Sequence, residues 1–190
     1  MKNIVCAFLM GASLIGYSQE SENKEYNTLG KHELRIDALE ALAFTTIEIN
    51  YEFIISKYSG AGAAISFNLS DESIEGYGQN FAFTPYYRQY FLNKKEYGAR
   101  GFFVEGSIQI AAGEYEDYYY SYNPITEIHL EGTTNENWFE TGIGLSLGQK
   151  WVSNNGFIFE ISAGGGRYLL GTDYAPEAYF RGGILVGYRF

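Results

Sequence analysis

Hydrophobicity alternates with a period of two residues through most of the chain that follows residue 32. Successive side chains of a β-strand point to opposite faces, so each alternating segment predicts a strand with one apolar and one polar face. Turn-forming residues separate the segments, of which eight can be read. They are Glu33–Ala43, Thr46–Ser56, Gly60–Leu69, Gln79–Leu92, Arg100–Ala112, Trp138–Trp151, Gly156–Tyr168 and Ala178–Phe190. The first is the least regular, because residues 37–44 also show some helical periodicity.

An even number of strands of similar length predicts an all-β fold, an eight-stranded antiparallel up-and-down barrel. The composition agrees, because 18 Tyr, 14 Phe and 23 Gly with only 3 Pro favour sheet over helix. A chain of 190 residues has the length of one ordinary domain. We therefore predict a barrel over residues 33–190, preceded by a short polar tail over residues 19–32.

The first 18 residues are typical of a secretory signal peptide. One lysine precedes an apolar stretch from Ile4 to about Ile15, and small or polar residues follow. This stretch is too short to span a membrane as a helix. Cys6, the single cysteine, lies within it, so we expect the exported chain to contain no cysteine.

Alternation alone does not decide which face of the barrel is inside, because soluble lipocalin-like barrels and outer-membrane barrels share the period of two. The polar face is rich in glycine and serine, which suits the narrow interior of an eight-stranded barrel. It also carries charges of both signs at mid-strand positions, and Lys150 lies nearby. Those charges are Glu52, Arg88, Glu105, Glu140, Glu160, Arg181 and Arg189. Charges facing lipid are costly, so we predict a polar interior with a paired charge network and an apolar exterior.

Two further patterns favour a membrane barrel. The apolar face gathers aromatic residues near the strand ends, as an interfacial girdle would. These residues are Phe91, Phe102, Trp151, Phe157, Phe180 and Tyr188. The longer connections, 70–78, 113–137 and 169–177, contain acidic residues but no lysine or arginine. Outer-membrane barrels place their longer loops outside the cell and their short turns in the periplasm.

In these features the chain resembles the small eight-stranded outer-membrane barrels of the OmpA-transmembrane, OmpX and OmpW type. The resemblance rests on the signal peptide, the eight segments and the C-terminal residues Ile184, Val186, Tyr188 and Phe190. It implies a location in the outer membrane of a Gram-negative bacterium, in contact with lipid and lipopolysaccharide. In that family a terminal Phe with apolar residues at alternate preceding positions is the signal for the barrel-assembly machinery. The resemblance implies architecture and says little about activity.

The residues suggest no catalysis, cofactor or metal site. The two histidines, His32 and His129, lie in the tail and in the longest loop, and neither is near a nucleophile and an acid on a strand. The acidic residues around His129 match no metal-ligand spacing, and the glycine clusters at 60–63 and 162–167 do not precede helices. A net charge of −10 argues against nucleic acid as a partner.

The stretch 114–132, EYEDYYYSYNPITEIHLEG, is the most distinctive in the chain. Two alternatives stay open for it: a hairpin that continues strands five and six, or a flexible loop whose tyrosines rest on lipopolysaccharide. An exposed hairpin edge could pair with a partner protein anywhere within 114–137. The candidate contact residues are Tyr115, Tyr118, Tyr119, Tyr120 and Tyr122.

We therefore expect a non-enzymatic outer-membrane barrel with a structural or surface-interaction role. Two alternatives belong to other classes of function. The first is a narrow channel or carrier for small or apolar solutes, which single-channel conductance would detect. The second is a secreted, soluble, lipocalin-like ligand carrier, which would have the two faces reversed.

Overall fold

The structure, a computed structural model, describes residues 30–43, 46–69, 77–91, 98–123 and 128–190. The predicted signal peptide and most of the predicted tail lie outside the described residues. The elements are β1 (His32–Asp37), α1 (Ala38–Ala43), β2 (Thr46–Ser56), β3 (Ser59–Asn68), β4 (Tyr77–Phe91), β5 (Gly101–Asn123), β6 (Ile128–Val152), β7 (Phe157–Tyr168) and β8 (Ala178–Arg189). Each strand pairs antiparallel with the next, and β1 pairs with β8. The predicted closed eight-stranded up-and-down barrel is confirmed.

The prediction of a strand over Glu33–Ala43 is wrong beyond Asp37. The Asp37 carboxylate accepts hydrogen bonds from the backbone N–H groups of Leu39, at 2.8 Å, and Glu40, at 3.0 Å. This is an N-cap, and the residues that follow, ALEALA, are strong helix formers. The helical periodicity around residues 37–44 therefore reports a real turn of helix at the end of the first strand.

Strands β5 and β6 extend well beyond the segments predicted for them. Their pairing runs without interruption from Gly101↔Lys150 to Asn123↔Ile128. Strand β4 pairs with β5 as far as Tyr115, and β7 joins β6 at Gly142. Among the described residues, 116–123 thus have 128–135 as their only strand partner, and 136–141 have β5 as theirs. Of the two alternatives for this stretch, the structure shows the protruding hairpin.

The barrel has two different ends. The turn end holds the tight β2–β3 connection and the β6–β7 turn, together with the start of β1 and the end of β8. The hairpin end holds α1, the β5–β6 hairpin and the β7–β8 connection, residues 169–177.

The apolar face of the sheet points outward and the polar face inward. Large apolar side chains are exposed on all eight strands, for example Leu34, Ile49, Phe67, Phe83, Ile108, Leu145, Phe159 and Phe180. Leu145, at mid-strand, is 68% exposed, whereas its neighbour Ser146 is 3% exposed. The predicted polar interior is confirmed.

Strand β3 makes room for the interior. Its inward positions are Gly60, Gly62, Ala64 and Ser66, and the strand carries no charged residue. A methyl group added at Gly62 would overlap the backbone carbonyl oxygen of Tyr51 and approach the Tyr86 ring at 2.7 Å. The small side chains of β3 therefore leave space into which larger groups from the other strands reach.

Candidate functional site: the luminal charge network

A network of ion pairs crosses the barrel lumen. It joins side chains from seven of the eight strands, all except β3. All of the side chains named below are buried. The carboxylates are Glu33, Glu52, Glu105 and Glu160, and the cations are Arg35, Arg88, Lys150, Arg181 and Arg189. We call these nine side chains the luminal network. Their inward positions follow from the two-residue period of the strands that carry them.

Arg88 on β4 lies at the centre of the luminal network. Its Nε is 2.6 Å from Glu105 Oε2 on the neighbouring strand β5. Its Nη1 is 2.8 Å from Glu160 Oε2 on β7 and 3.2 Å from Glu52 Oε2 on β2. Its guanidinium also lies over the Phe103 ring, 4.2 Å from the ring centroid. One side chain thus binds three carboxylates that come from different walls of the barrel.

Arg35 and Lys150 bind the same carboxylates from two other strands. Arg35 Nη1 is 2.7 Å from Glu160 Oε2, and Nη2 is 2.8 Å from Glu52 Oε2. Lys150 Nζ is 2.8 Å from Glu33 Oε2 and 3.3 Å from Glu52 Oε1. Because each carboxylate is shared between cations, charge is compensated locally, as buried ions require.

Arg181 and Arg189 extend the luminal network towards the two ends of the barrel. At the hairpin side, Arg181 Nε is 2.6 Å from Glu105 Oε1, and its Nη1 is 3.5 Å from Glu48 Oε2. At the turn end, Arg189 donates to the Glu33 carboxylate and to the carbonyl oxygens of Gly98 and Ala99, both at 2.9 Å. The last arginine of the chain thereby ties β8 to β1 and to the connection before β5.

All seven residues predicted for the interior charge network are buried, and the structure joins six of them in the luminal network. Glu140 is the exception. Its carboxylate accepts backbone N–H groups from Leu170, at 3.0 Å, and Thr172, at 2.6 Å, and no ion pair among the described residues includes it. Glu140 lies near the hairpin end of β6, where it fastens the β7–β8 connection to the barrel rim.

Sequence reasoning missed Glu33 and Arg35 and gave Lys150 only as a neighbour of the network. The sequence does contain the alternation that predicts inward positions for both: charged residues at 33, 35 and 37 alternate with Leu34 and Ile36. The helical periodicity that follows Asp37 hid this short alternation.

Buried aromatic groups lie on both sides of the luminal network. Towards the turn end, Ile54, Tyr90, Ala99 and Phe103 form one cluster, and Tyr90 OH donates to Glu52 at 2.6 Å. Towards the hairpin end, Trp138 and Tyr168 pack with Ala82 and Ala111. Tyr168 OH donates to Gln109 Oε1 at 2.7 Å. The lumen is thus filled in layers, with an aromatic layer on either side of the charged layer.

A small polar cavity remains between the luminal network and the hairpin end. Its volume is about 10 Å³, close to the minimum that one water needs. It is lined by groups that include Glu48, Asn50, Ser146 and Arg181. No part of this lining resembles a nucleophile with its base.

Glu40 on α1 is the titratable group with the clearest perturbation outside the strands. Burial, and the nearby carboxylates of Glu48 and Asp37, raise the pKa of Glu40 to about 8, while Arg181 acts in the opposite direction. Its Oε2 is buried and has no hydrogen-bond partner among the described residues. At neutral pH the protonated form therefore dominates.

The described residues contain no group of three His, Cys, Asp or Glu side chains that could hold a metal ion. His32 lies at the turn end, with Nδ1 2.7 Å from Tyr51 OH and its ring stacked on Phe190. His129 is a position on β6, opposite Tyr122. The chemistry that the arrangement offers is cross-linking of strands by charge-assisted hydrogen bonds.

The other predicted contact residues fall at the two ends. Tyr118, Tyr119 and Tyr122 are positions on the β5 arm of the hairpin, and Tyr120 on that arm is 65% exposed. Tyr115, at the base, stacks on Tyr174 with ring centroids 5.6 Å apart. Ile184, Val186 and Tyr188 follow one another on the outer face of β8, and the backbone of Phe190 exchanges hydrogen bonds with His32.

Compared with known proteins, the chain matches no family model, no curated protein and no solved structure. The described part of the chain contains no helix that is long and apolar enough to cross a membrane.

Proposed function

We propose that this chain is an integral outer-membrane barrel of a Gram-negative bacterium, non-enzymatic, with a filled lumen and a structural or surface-interaction role. One observation carries the proposal: charged side chains are buried inside the barrel while large apolar side chains are exposed around its whole wall. A lipid bilayer is the solvent in which that distribution is favourable.

The area of exposed apolar surface on the barrel wall favours lipid over water as its surroundings. Exposed apolar surface costs about 25 cal/mol per Å² in water, and soluble monomers rarely expose apolar patches beyond a few hundred Å². Here the exposed Ile, Leu and Phe side chains continue from strand to strand around the barrel. This supports a lipid-facing wall and argues against the soluble lipocalin-like alternative, which needs an apolar interior for its ligand.

Aromatic side chains support the same placement. Phe91, Phe102, Trp151, Phe157 and Tyr188 are exposed close to the turn end, and Phe180 is exposed towards the hairpin end. Rings at both borders of an apolar band suit the two membrane interfaces. With the turn end in the periplasm, the acidic hairpin faces the cell exterior. The signal peptide and the C-terminal assembly signal, Ile184 to Phe190, belong to this proposal as the export and insertion route.

The filled lumen favours a structural or contact role over transport. The luminal network and the aromatic layers lie across the path that a solute would take. A narrow channel or carrier remains the alternative. Planar bilayers distinguish the two, because a filled barrel gives no steady unitary conductance whereas a channel does.

The β5–β6 hairpin is the surface that we propose for a partner protein. Beyond Tyr115 on β5 and before Gly142 on β6, no third strand pairs with the hairpin among the described residues. No lysine or arginine occurs between residues 101 and 149, whereas the hairpin carries Glu114, Glu116, Asp117 and Glu136. An extended segment with basic side chains would pair with such an edge and match its charge.

Location is tested by fractionation. The full-length chain is expressed in a Gram-negative host, and outer membranes are run on SDS gels with and without boiling. We expect a band in that fraction whose mobility changes on boiling, because a closed barrel resists the detergent until heated. Recovery as a soluble periplasmic or secreted protein, with no change on boiling, would refute the proposal.

A further inference from the structure

The small polar cavity near the hairpin end contains unsatisfied buried groups. Asn50 on β2 is fully buried, and its Nδ2 donates to Glu48 Oε1 at 2.7 Å. That bond orients the amide, so Oδ1 is left as an acceptor with no partner among the described residues. Ser146 on β6 is 3% exposed, and its Oγ also has no hydrogen-bond partner among the described residues. Leaving such a group unsatisfied costs about 1–3 kcal/mol.

The charges around the cavity select the kind of ligand. The carboxylates of Asp37, Glu48 and Glu105 line it, and so do the guanidinium groups of Arg88 and Arg181. A cation would approach two arginines, and an anion would approach three carboxylates and the Asn50 carbonyl oxygen. The ligand must therefore be neutral, must donate a hydrogen bond to Asn50 Oδ1, and must fit about 10 Å³.

We propose that this cavity is a binding site for one water molecule, which donates to Asn50 Oδ1 and completes the hydrogen bonding of Ser146 Oγ. Buried waters commonly make about three hydrogen bonds to groups that the protein leaves unsatisfied. Glu48, Glu105 and Arg181 line the site and offer both acceptors and donors for the remaining positions.

The site would link two walls that do not pair. Strand β2 is separated from β6 by β3, β4 and β5 in one direction around the barrel, and by β1, β8 and β7 in the other. Towards the turn end, ion pairs join opposite walls directly, as Arg88 joins Glu160 and Glu52. Nearer the hairpin end, the water would bridge Asn50 on β2 and Ser146 on β6 by hydrogen bonds. This inference concerns the interior alone and holds in detergent as in lipid, so it stands apart from the proposed cellular role.

The test is a crystal structure of the detergent-folded full-length chain at a resolution that shows ordered water. We expect one density peak within about 2.7–3.2 Å of both Asn50 Oδ1 and Ser146 Oγ. Crystals soaked in rubidium bromide supply the control, because both ions scatter anomalously. No anomalous peak is expected in the cavity. An empty cavity, or an anomalous peak within it, would overturn the proposal.

Two variants test the partners. Asn50→Leu removes the acceptor and occupies similar volume, so the peak should disappear. Ser66→Ala changes another buried inward serine, which does not line the cavity, and should leave the peak in place. A peak that survives Asn50→Leu would show that Asn50 does not hold the water. If Asn50→Leu fails to fold, the wild-type density still decides the proposal.

Discussion

At the scale of single residues, the buried charges of the lumen depend on one another for their stability. Arg88→Met removes the cation that contacts Glu52, Glu105 and Glu160. Breaking a buried pair leaves uncompensated charge and costs about 3–5 kcal/mol. We therefore expect Arg88→Met to lower the free energy of unfolding by about that amount, measured by urea titration of the folded barrel in vesicles.

The matched control is Arg167→Met. Arg167 on β7 is 74% exposed and lies 3.5 Å from the exposed Glu177. Exposed pairs contribute about 0–1 kcal/mol, so this variant should unfold almost as the wild type does. Equal losses in the two variants would mean that the lumen does not depend on its ion pairs.

Glu40 should make the stability of the hairpin end depend on pH. Its pKa in the folded chain is about 8, above the ordinary value of 4.5. Between about pH 4.5 and about pH 8, Glu40 is therefore protonated in the folded chain and ionised in the unfolded chain. The stabilisation is fully present below about pH 4.5 and is lost as the pH rises through about 8.

We expect Glu40→Gln to reduce the loss of stability between about pH 5 and about pH 9, measured by urea unfolding at each pH. The groups that face Glu40 are Asp37 from β1, Glu48 from β2 and Arg181 from β8. Glu177→Gln, at an exposed site, is the control and should keep the wild-type slope. If Glu40→Gln keeps the wild-type dependence of unfolding free energy on pH, Glu40 is not the group that causes it.

Alternation predicts which face of the sheet each residue occupies, but it does not predict the ion-pair or hydrogen-bond partner of that residue. All seven predicted charges are buried, because a strand period of two assigns a face to every residue. Which carboxylate meets which cation depends on the stagger of the closed sheet, which a linear pattern does not contain. Glu140 shows the limit: its position in the lumen follows from alternation, and its backbone partners at residues 170 and 172 do not.

At the scale of elements, β3 should tolerate substitutions on one face only. Gly62→Ala places a methyl group against the Tyr51 carbonyl oxygen and the Tyr86 ring. Overpacking of this kind costs about 1–3 kcal/mol, so a lower urea midpoint is expected. Gly106→Ala on β5 is the control, because a methyl group there meets no atom within 4 Å. Equal effects of the two variants would argue against a closely packed lumen.

The β5–β6 hairpin should resist proteolysis in intact cells. Chymotrypsin, which cleaves after aromatic residues, suits a segment that contains five tyrosines and no lysine or arginine. Gly132 pairs with Tyr119, and Gly132→Pro cannot donate a backbone hydrogen bond in the ladder. We expect the variant to be cut within the hairpin much faster than the wild type, while both keep the change in mobility on boiling. Rapid cleavage of the wild type would show that the hairpin is not ordered.

Elements could be predicted except where two patterns compete. Seven of the eight predicted segments contain the core of an observed strand, and the first combines a strand with a helix. Asp37 decides that boundary, because its carboxylate caps the helix instead of extending the ladder. The length of the hairpin could not be predicted, because residues 114–132 lack the strict alternation that a half-buried strand shows.

At the scale of the whole molecule, one sheet closes on itself around a polar interior. Closure leaves no sheet edge within the barrel wall, which is the condition for a β-structure to cross a membrane. Beyond the wall, no third strand pairs with the protruding hairpin among the described residues. The proposed role in surface contact rests on this combination of a filled base and one protruding arm.

The chain's two tryptophans test the central claim, that the apolar face contacts lipid. Trp151 is on the outer face and 47% exposed, whereas Trp138 points inward and is 3% exposed. Trp138→Phe and Trp151→Phe each leave one emitter, and the folded variants are compared in vesicles of brominated and ordinary phosphatidylcholine. We predict that bromine strongly quenches Trp151 and leaves Trp138 nearly unchanged. Stronger quenching of Trp138, or none at Trp151, would contradict the account.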